Sequence, residues 1–179
     1  MITASHRTVS ERFSPALLCC LVALTWGSLA PAVGFASQAE ARASVPAARS
    51  LSGMSPGLKR QLDHAFVLAN QTVEAVATCR ALFTELDQPA SVSLRHTLYV
   101  PASGLHEQRI CRRGVSAFTE VGSRVTYLCR GFKRLAAPRA AMTLVHEALH
   151  LAGLEEAPNR PGAPSSAEIN GLVATNCRL

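Results

Sequence analysis

The sequence predicts an α+β fold, helices packed on a small mixed sheet, and three observations lead there. A long stretch opening at Ser55-Pro56 repeats apolar residues at helical spacing, short β-like runs follow between Thr97 and Cys129, and two further helical segments come after them, around Val145 and from Ser165. With 179 residues, 48% of them hydrophobic, the chain has material for one domain with a real core and not for two comfortable ones.

Residues 1–36 read as an export signal. Arg7 and Arg12 precede an apolar run from Ala16 to Ala36 that ends in small residues. Cleavage after Ala36 or within Ala39-Glu40-Ala41 satisfies the small-residue rule equally. An uncleaved anchor is the competing reading, because the run approaches bilayer-spanning length, but Pro31 and Gly34 speak against it. Cys19 and Cys20 follow Leu17-Leu18 rather than small residues, which argues against lipid attachment. The expected location is secreted or periplasmic, with membrane contact only through an uncleaved signal. Residues 37–54 are small and polar and predict a flexible leader, so the folded domain is expected over 55–179.

Without the signal, Cys79, Cys111, Cys129 and Cys177 remain, an even number in an exported chain, which predicts two disulfides. Three connectivities are open. Cys111 with Cys129 and Cys79 with Cys177 is preferred, because the first pair flanks a predicted hairpin and the second would tie the long helix to the last one. From residue 37 onward sixteen Lys and Arg face eleven Asp and Glu, scattered, with no basic stripe carrying interleaved aromatics. Nucleic-acid binding is therefore not expected, and a monomer acting on peptide or protein is.

The first helix has Ser55 as N-cap and Pro56 at its first position and can run to Leu86, with Leu58, Leu62, Phe66, Ala69, Val73 and Val76 along one face. Thr97–Val100 reads as a strand, and Val115–Thr119 and Arg124–Cys129, separated by Gly122-Ser123, read as a hairpin. The run Ala140–Ala152 is strongly helical and stops at Gly153. A Pro- and Gly-rich loop then leads to a final helix from Ser165.

Inside the second of these helical runs lies His146-Glu147-Ala148-Leu149-His150, an HExxH pattern. Four-residue spacing puts both imidazoles on one helix face, where they can share a zinc ion, while Glu147 sits one position round and can act as general base on a metal-polarised water. The predicted chemistry is peptide-bond hydrolysis. A metal-binding domain of the cell envelope without catalysis is the alternative, and Glu147 discriminates against it, since a purely structural site has no use for an acid beside its ligands.

From Cys111 through Gly114–Thr119, Val125–Phe132 and Met142–His150, the sequence resembles the deuterolysin and peptidyl-Lys metallopeptidase families, the aspzincins. The resemblance covers residues 97–152 and implies a zincin-like fold, with the HExxH helix beside a small sheet whose edge strand binds extended peptide. Residues 125–129 are the expected edge. The chain departs from those families after the motif, where it lacks their Gly-Thr-x-x-Asp and has no tyrosine; its two tyrosines, Tyr99 and Tyr127, lie upstream.

The third metal ligand therefore has to be sought among the later acids. Metzincin spacing reaches it six residues after the second His through a Gly turn, where Gly153 and Glu156 stand, but no methionine follows Met142 to form that group's Met-turn. A gluzincin-like ligand would be Glu168, 18 residues after His150 on the last helix. Glu168 is preferred, with Glu155 and Glu156 in reserve. The competing role for Glu168 is in a capping box with Ser165. His64, His96 and His106 read as ordinary histidines, of which His96 or His106 could approach the cleft. Asn70-Gln71-Thr72 forms a glycosylation sequon.

Overall fold

The computed structural model describes residues 48–50, 53–111 and 114–179, so the expected signal over 1–36 and most of the leader lie outside the described residues. The first helical stretch begins where the sequence places it. Helix α1 covers Pro56–Ala75, and the Ser55 hydroxyl accepts from the Leu58 amide at 3.4 Å. It does not run through to Leu86. Val76 takes an extended conformation (φ −97°, ψ 108°), and the chain resumes as α2, Ala77–Thr84. The apolar spacing continues across the break, but the redirected second segment brings buried Cys79 to Cys177.

Two short helices the sequence reading did not anticipate flank the next strand: α3 (Ala90–His96) and α4 (Gly104–Arg109), with β2 (Leu98–Pro101) between them. The predicted hairpin is β3 (Ala117–Thr119) with β4 (Val125–Leu128), antiparallel, pairing Phe118 with Tyr127. Strand β4 also pairs in parallel with β2, so it lies inside the sheet. The expectation that residues 125–129 form the edge is thus corrected: on this side of the sheet the edge is β3. A two-residue strand, β1 (Arg49–Ser50), pairs in parallel with β2 at the opposite side, giving the order β1-β2-β4-β3. The end of the expected leader is therefore tied into the sheet.

Alternation along the strands decides where the helices sit. Ala117, Thr119, Thr126, Leu128 and Tyr99 are buried, whereas Phe118 and Tyr127 are half-buried. The Thr119 and Thr126 hydroxyls bond each other at 2.7 Å across β3 and β4. Phe66 of α1 meets Tyr99 edge-on, with ring centroids 6.2 Å apart. Helix α5, Ala137–Leu151, is the central element: its buried Leu144, Val145 and Leu149 join one apolar core with Leu62, Phe66 and Val73 of α1 and with Ile169 and Val173 of α6 (Ser166–Cys177). Burying a Leu or Phe side chain stabilises by about 1.5–3 kcal/mol, so this layer dominates the fold.

Disulfides Cys79–Cys177 and Cys111–Cys129 form, the pairing preferred from sequence. No helix among the described residues is long and apolar enough to cross a membrane. Asn70 is 1% exposed on the inner face of α1, which withdraws the sequon from any modifying enzyme acting on the folded chain.

Candidate metal centre

The helical spacing of His146 and His150 turns both rings to the same side of α5, with their Nε2 atoms 3.1 Å apart. Both rings are almost fully buried. The end of the helix supplies the third group. Gly153 adopts φ +104°; its amide bonds the His150 carbonyl at 3.0 Å, and the Leu154 amide bonds the Leu149 carbonyl at 2.9 Å. This is a Schellman termination, with Gly in the left-handed position that side-chain-bearing residues disfavour.

The turn has two effects. It presents the Leu154 carbonyl to His150 Nδ1 at 2.7 Å, and it reverses the chain so that Glu156 Oε2 comes to 3.0 Å from His150 Nε2 and 3.6 Å from His146 Nε2. His146, His150 and Glu156 thus form a group that could hold a metal ion.

Glu168, the carboxylate preferred from sequence, is not part of this group. Its Oε2 accepts from the Ser165 amide and hydroxyl, both at 2.7 Å, in a capping box that leaves it exposed and holds its carboxyl below the usual range. The correction has a helical cause. Ile169, Val173 and Cys177 fix the buried face of α6. Asn170 sits beside that face and reaches His146 Nδ1 with Oδ1 at 3.0 Å. Residues two apart on a helix are turned by roughly 200°, so Glu168 points away when Asn170 points in. The last helix packs against the HExxH helix, but it delivers an amide rather than a carboxylate. Glu155, the other reserve, pairs with Arg160.

Each ring also has a partner on its other nitrogen. A carbonyl oxygen faces each Nδ1, and an imidazole that donates there turns its Nε2 lone pair inward. Burial, and then the neighbouring His150, hold the His146 imidazole below its ordinary pKa, in the neutral form. Two Nε2 atoms and a carboxylate oxygen converge within 3.6 Å. Such a cluster is repulsive unless a cation or shared protons occupy its centre.

Glu147 lies beside this group, buried between α5 and β3. Removal from water pushes its carboxyl up to about 8, against the Thr119 hydroxyl and amide, which donate to it. Its Oε2 is buried and has no hydrogen-bond partner among the described residues. The amide of Thr119 is available because of strand register: the Cys129 amide bonds the Ser116 carbonyl at 2.9 Å, so alternation turns the backbone groups of Ala117 and Thr119 away from β4. A cleft of about 490 Å³ runs between residues 114–121 and the outer stripe of α5, with Glu156 and Asn170 across it. His64 and His96 are exposed and do not line it.

Thr119, Leu154 and Asn170 were not singled out from sequence. Only Asn170 carried a signal there, as a polar residue next to the Ile169–Val173 stripe. Comparison of the chain with models of known protein families, with curated proteins and with solved structures returns no match. What fold and site define together is an α+β domain with two buried histidines and a half-buried glutamate grouped so that they could hold a metal ion, opening on a cleft along a free strand edge.

Proposed function

We propose that this domain is an exported zinc metallopeptidase of zincin-like architecture, in which His146, His150 and Glu156 hold the metal and Glu147 is the general base. The observation that carries the reading is the convergence of two Nε2 atoms and one carboxylate oxygen at 3.0, 3.1 and 3.6 Å. Ligand distances of roughly 2.0–2.1 Å in a tetrahedral set correspond to edges of about 3.3 Å, and the three distances straddle that value. Two imidazoles and one carboxylate are also a recurrent catalytic zinc set, which keeps a fourth position open.

Bound there, zinc would supply Lewis acidity and lower the pKa of a water toward neutrality. The rest is the work of this chain. Glu147 accepts the proton of the attacking water and returns it to the departing amine; its unpartnered Oε2 is free for that exchange. Thr119 holds the other side of the carboxyl in place. Asn170 and the Leu154 carbonyl keep both imidazoles in the tautomer that offers Nε2. The outward amide and carbonyl of Ala117 offer ladder bonds to an extended peptide, which would add to β3 as a further strand. The disulfides and the signal-like residues 1–36 support an oxidising location.

The test is metal content and peptide hydrolysis measured on the same preparation. Zinc bound at one equivalent, with hydrolysis lost on chelation and restored on readdition, is the expected result. Glu147→Gln should keep the zinc and lose the hydrolysis. Wild-type turnover in that variant would exclude the mechanism.

A further inference from the structure

The stripe of α5 that faces the cleft runs Arg139, Met142, Thr143, His146, Glu147, His150. Its first member has no role in the chemistry above. Arg139 is exposed, and among the described residues its guanidinium makes no ion pair, unlike Arg95, Arg130 and Arg160, each of which has a glutamate partner. Helix stability does not account for it either. It stands in the first turn of α5, where a cation opposes the helix dipole and where the helix carries no acidic residue. The opposite end of the cleft has the opposite charge: Glu120, also without an ion pair among the described residues, follows β3 directly.

The direction of the cleft follows from β3. Thr119 meets Glu147 and the Gly122 amide meets the His150 carbonyl, so β3 and the turn after it run alongside α5 in the same sense, with Val115 toward Arg139 and Glu120 toward His150. A peptide joining β3 in the stronger, antiparallel ladder would run the other way. Its N-terminal part would lie near Glu120 and its C-terminal part near Arg139. Seven helical residues separate Arg139 from His146, about 10 Å of axial rise. That equals roughly three residues of extended chain, less what the arginine side chain reaches back.

We propose that the cleft selects peptides by charge, with Arg139 determining a preference for an acidic side chain at the second or third residue C-terminal to the scissile bond. This rests on the peptidase reading for the position of that bond, and the experiment separates the two. Matched peptides carry Glu, Gln or Lys at those two positions, and kcat/KM is measured with the zinc-loaded protein at low and high salt. The Glu peptide is expected to exceed the Lys peptide by about tenfold at low salt, with the ratio shrinking as salt screens the pair. Arg139→Glu should invert the ratio and Arg139→Gln should bring it near unity. A Glu-to-Lys ratio unchanged in both variants overturns the proposal.

Binding of the same labelled peptides to zinc-loaded Glu147→Gln, followed by fluorescence anisotropy, gives the independent readout. If no peptide is cleaved yet binding follows charge and the order inverts with Arg139→Glu, charge selection stands and the hydrolytic reading fails. Cleavage with charge-blind kinetics and binding leaves the hydrolytic reading intact and removes this one.

Discussion

Replacing Glu156 by Ala tests which carboxylate completes the metal group. In the structure Glu156 Oε2 lies 3.0 and 3.6 Å from the two histidine nitrogens, whereas Glu168 is committed to the Ser165 amide and hydroxyl at 2.7 Å. Glu156→Ala would reduce three protein ligands to two and remove the only negative charge among them. Zinc affinity should fall by a factor on the order of 10³ or more, equivalent to about 4 kcal/mol. Glu168→Ala would only open a capping box, costing about 0.5–2 kcal/mol of folding stability, with zinc affinity unchanged. Competition against a chromophoric chelator measures the first quantity and urea unfolding the second. Glu156→Gln, which keeps the shape and one oxygen but loses the charge, should fall between wild type and Ala in affinity. Loss of zinc in Glu168→Ala with retention in Glu156→Ala would refute the reasoning and return the third ligand to α6.

Three further outcomes are expected. Asn170→Ala should weaken zinc binding by roughly 10–100-fold without removing a ligand, because the His146 ring loses the acceptor that sets its tautomer; equal affinity in titrations of both proteins would contradict this. In the metal-free protein the Glu147 carboxyl is raised from 4.5 to about 8, so the folded state keeps a proton that the unfolded chain releases. The resulting stability is fully present below 4.5 and is lost as pH rises toward 8. It should amount to a few kcal/mol, at about 1.36 kcal/mol per pH unit. Urea melts in chelator should then show Glu147→Gln gaining on wild type between pH 5 and pH 8, and a constant difference would disprove the burial effect. Finally, Ser at both Cys79 and Cys177 should cost more than Ser at both Cys111 and Cys129, since the sequence separations are 98 and 18. Chain-entropy estimates put the two near about 4.7 and 3 kcal/mol, and thermal melts that reverse the order would count against that account.

Much of the fold was legible because its signals are local. The Ser55-Pro56 start, the β3–β4 hairpin and the Gly153 stop each depend on a few neighbouring residues. The break at Val76 was not legible, since the apolar spacing runs straight through it and the partners of the redirected segment, Cys177 among them, lie far along the chain. Nor was sheet order, because whether Val125–Leu128 is an edge depends on β2 pairing with it from a distant part of the chain. Within the site, His146, Glu147 and His150 could be read from spacing, and the disulfide pairing from the hairpin. Glu168 was preferred from sequence because both candidates satisfied the chemistry and the missing Met-turn weighed against Glu156, whereas the structure groups Glu156 with the two histidines. What separates them is rotational phase: the capping box and the Ile169–Val173 face together set which way Glu168 points.

Gly153 gives the site an unusual point of vulnerability. A β-carbon placed on it would meet no atom within 4 Å, so there is room for a methyl group. What forbids one is handedness, since φ +104° belongs to a region L-residues rarely enter. An alanine there would fit by volume and still unwind the helix stop, and the displacement would grow along the three residues that lead to Glu156. Leu154 would carry away the acceptor for His150, and the carboxylate would swing off with it. The group that could hold a metal could therefore be dismantled by a change that touches none of its three side chains, fills no cleft and alters no charge, at the one position in the turn that contributes no side chain at all.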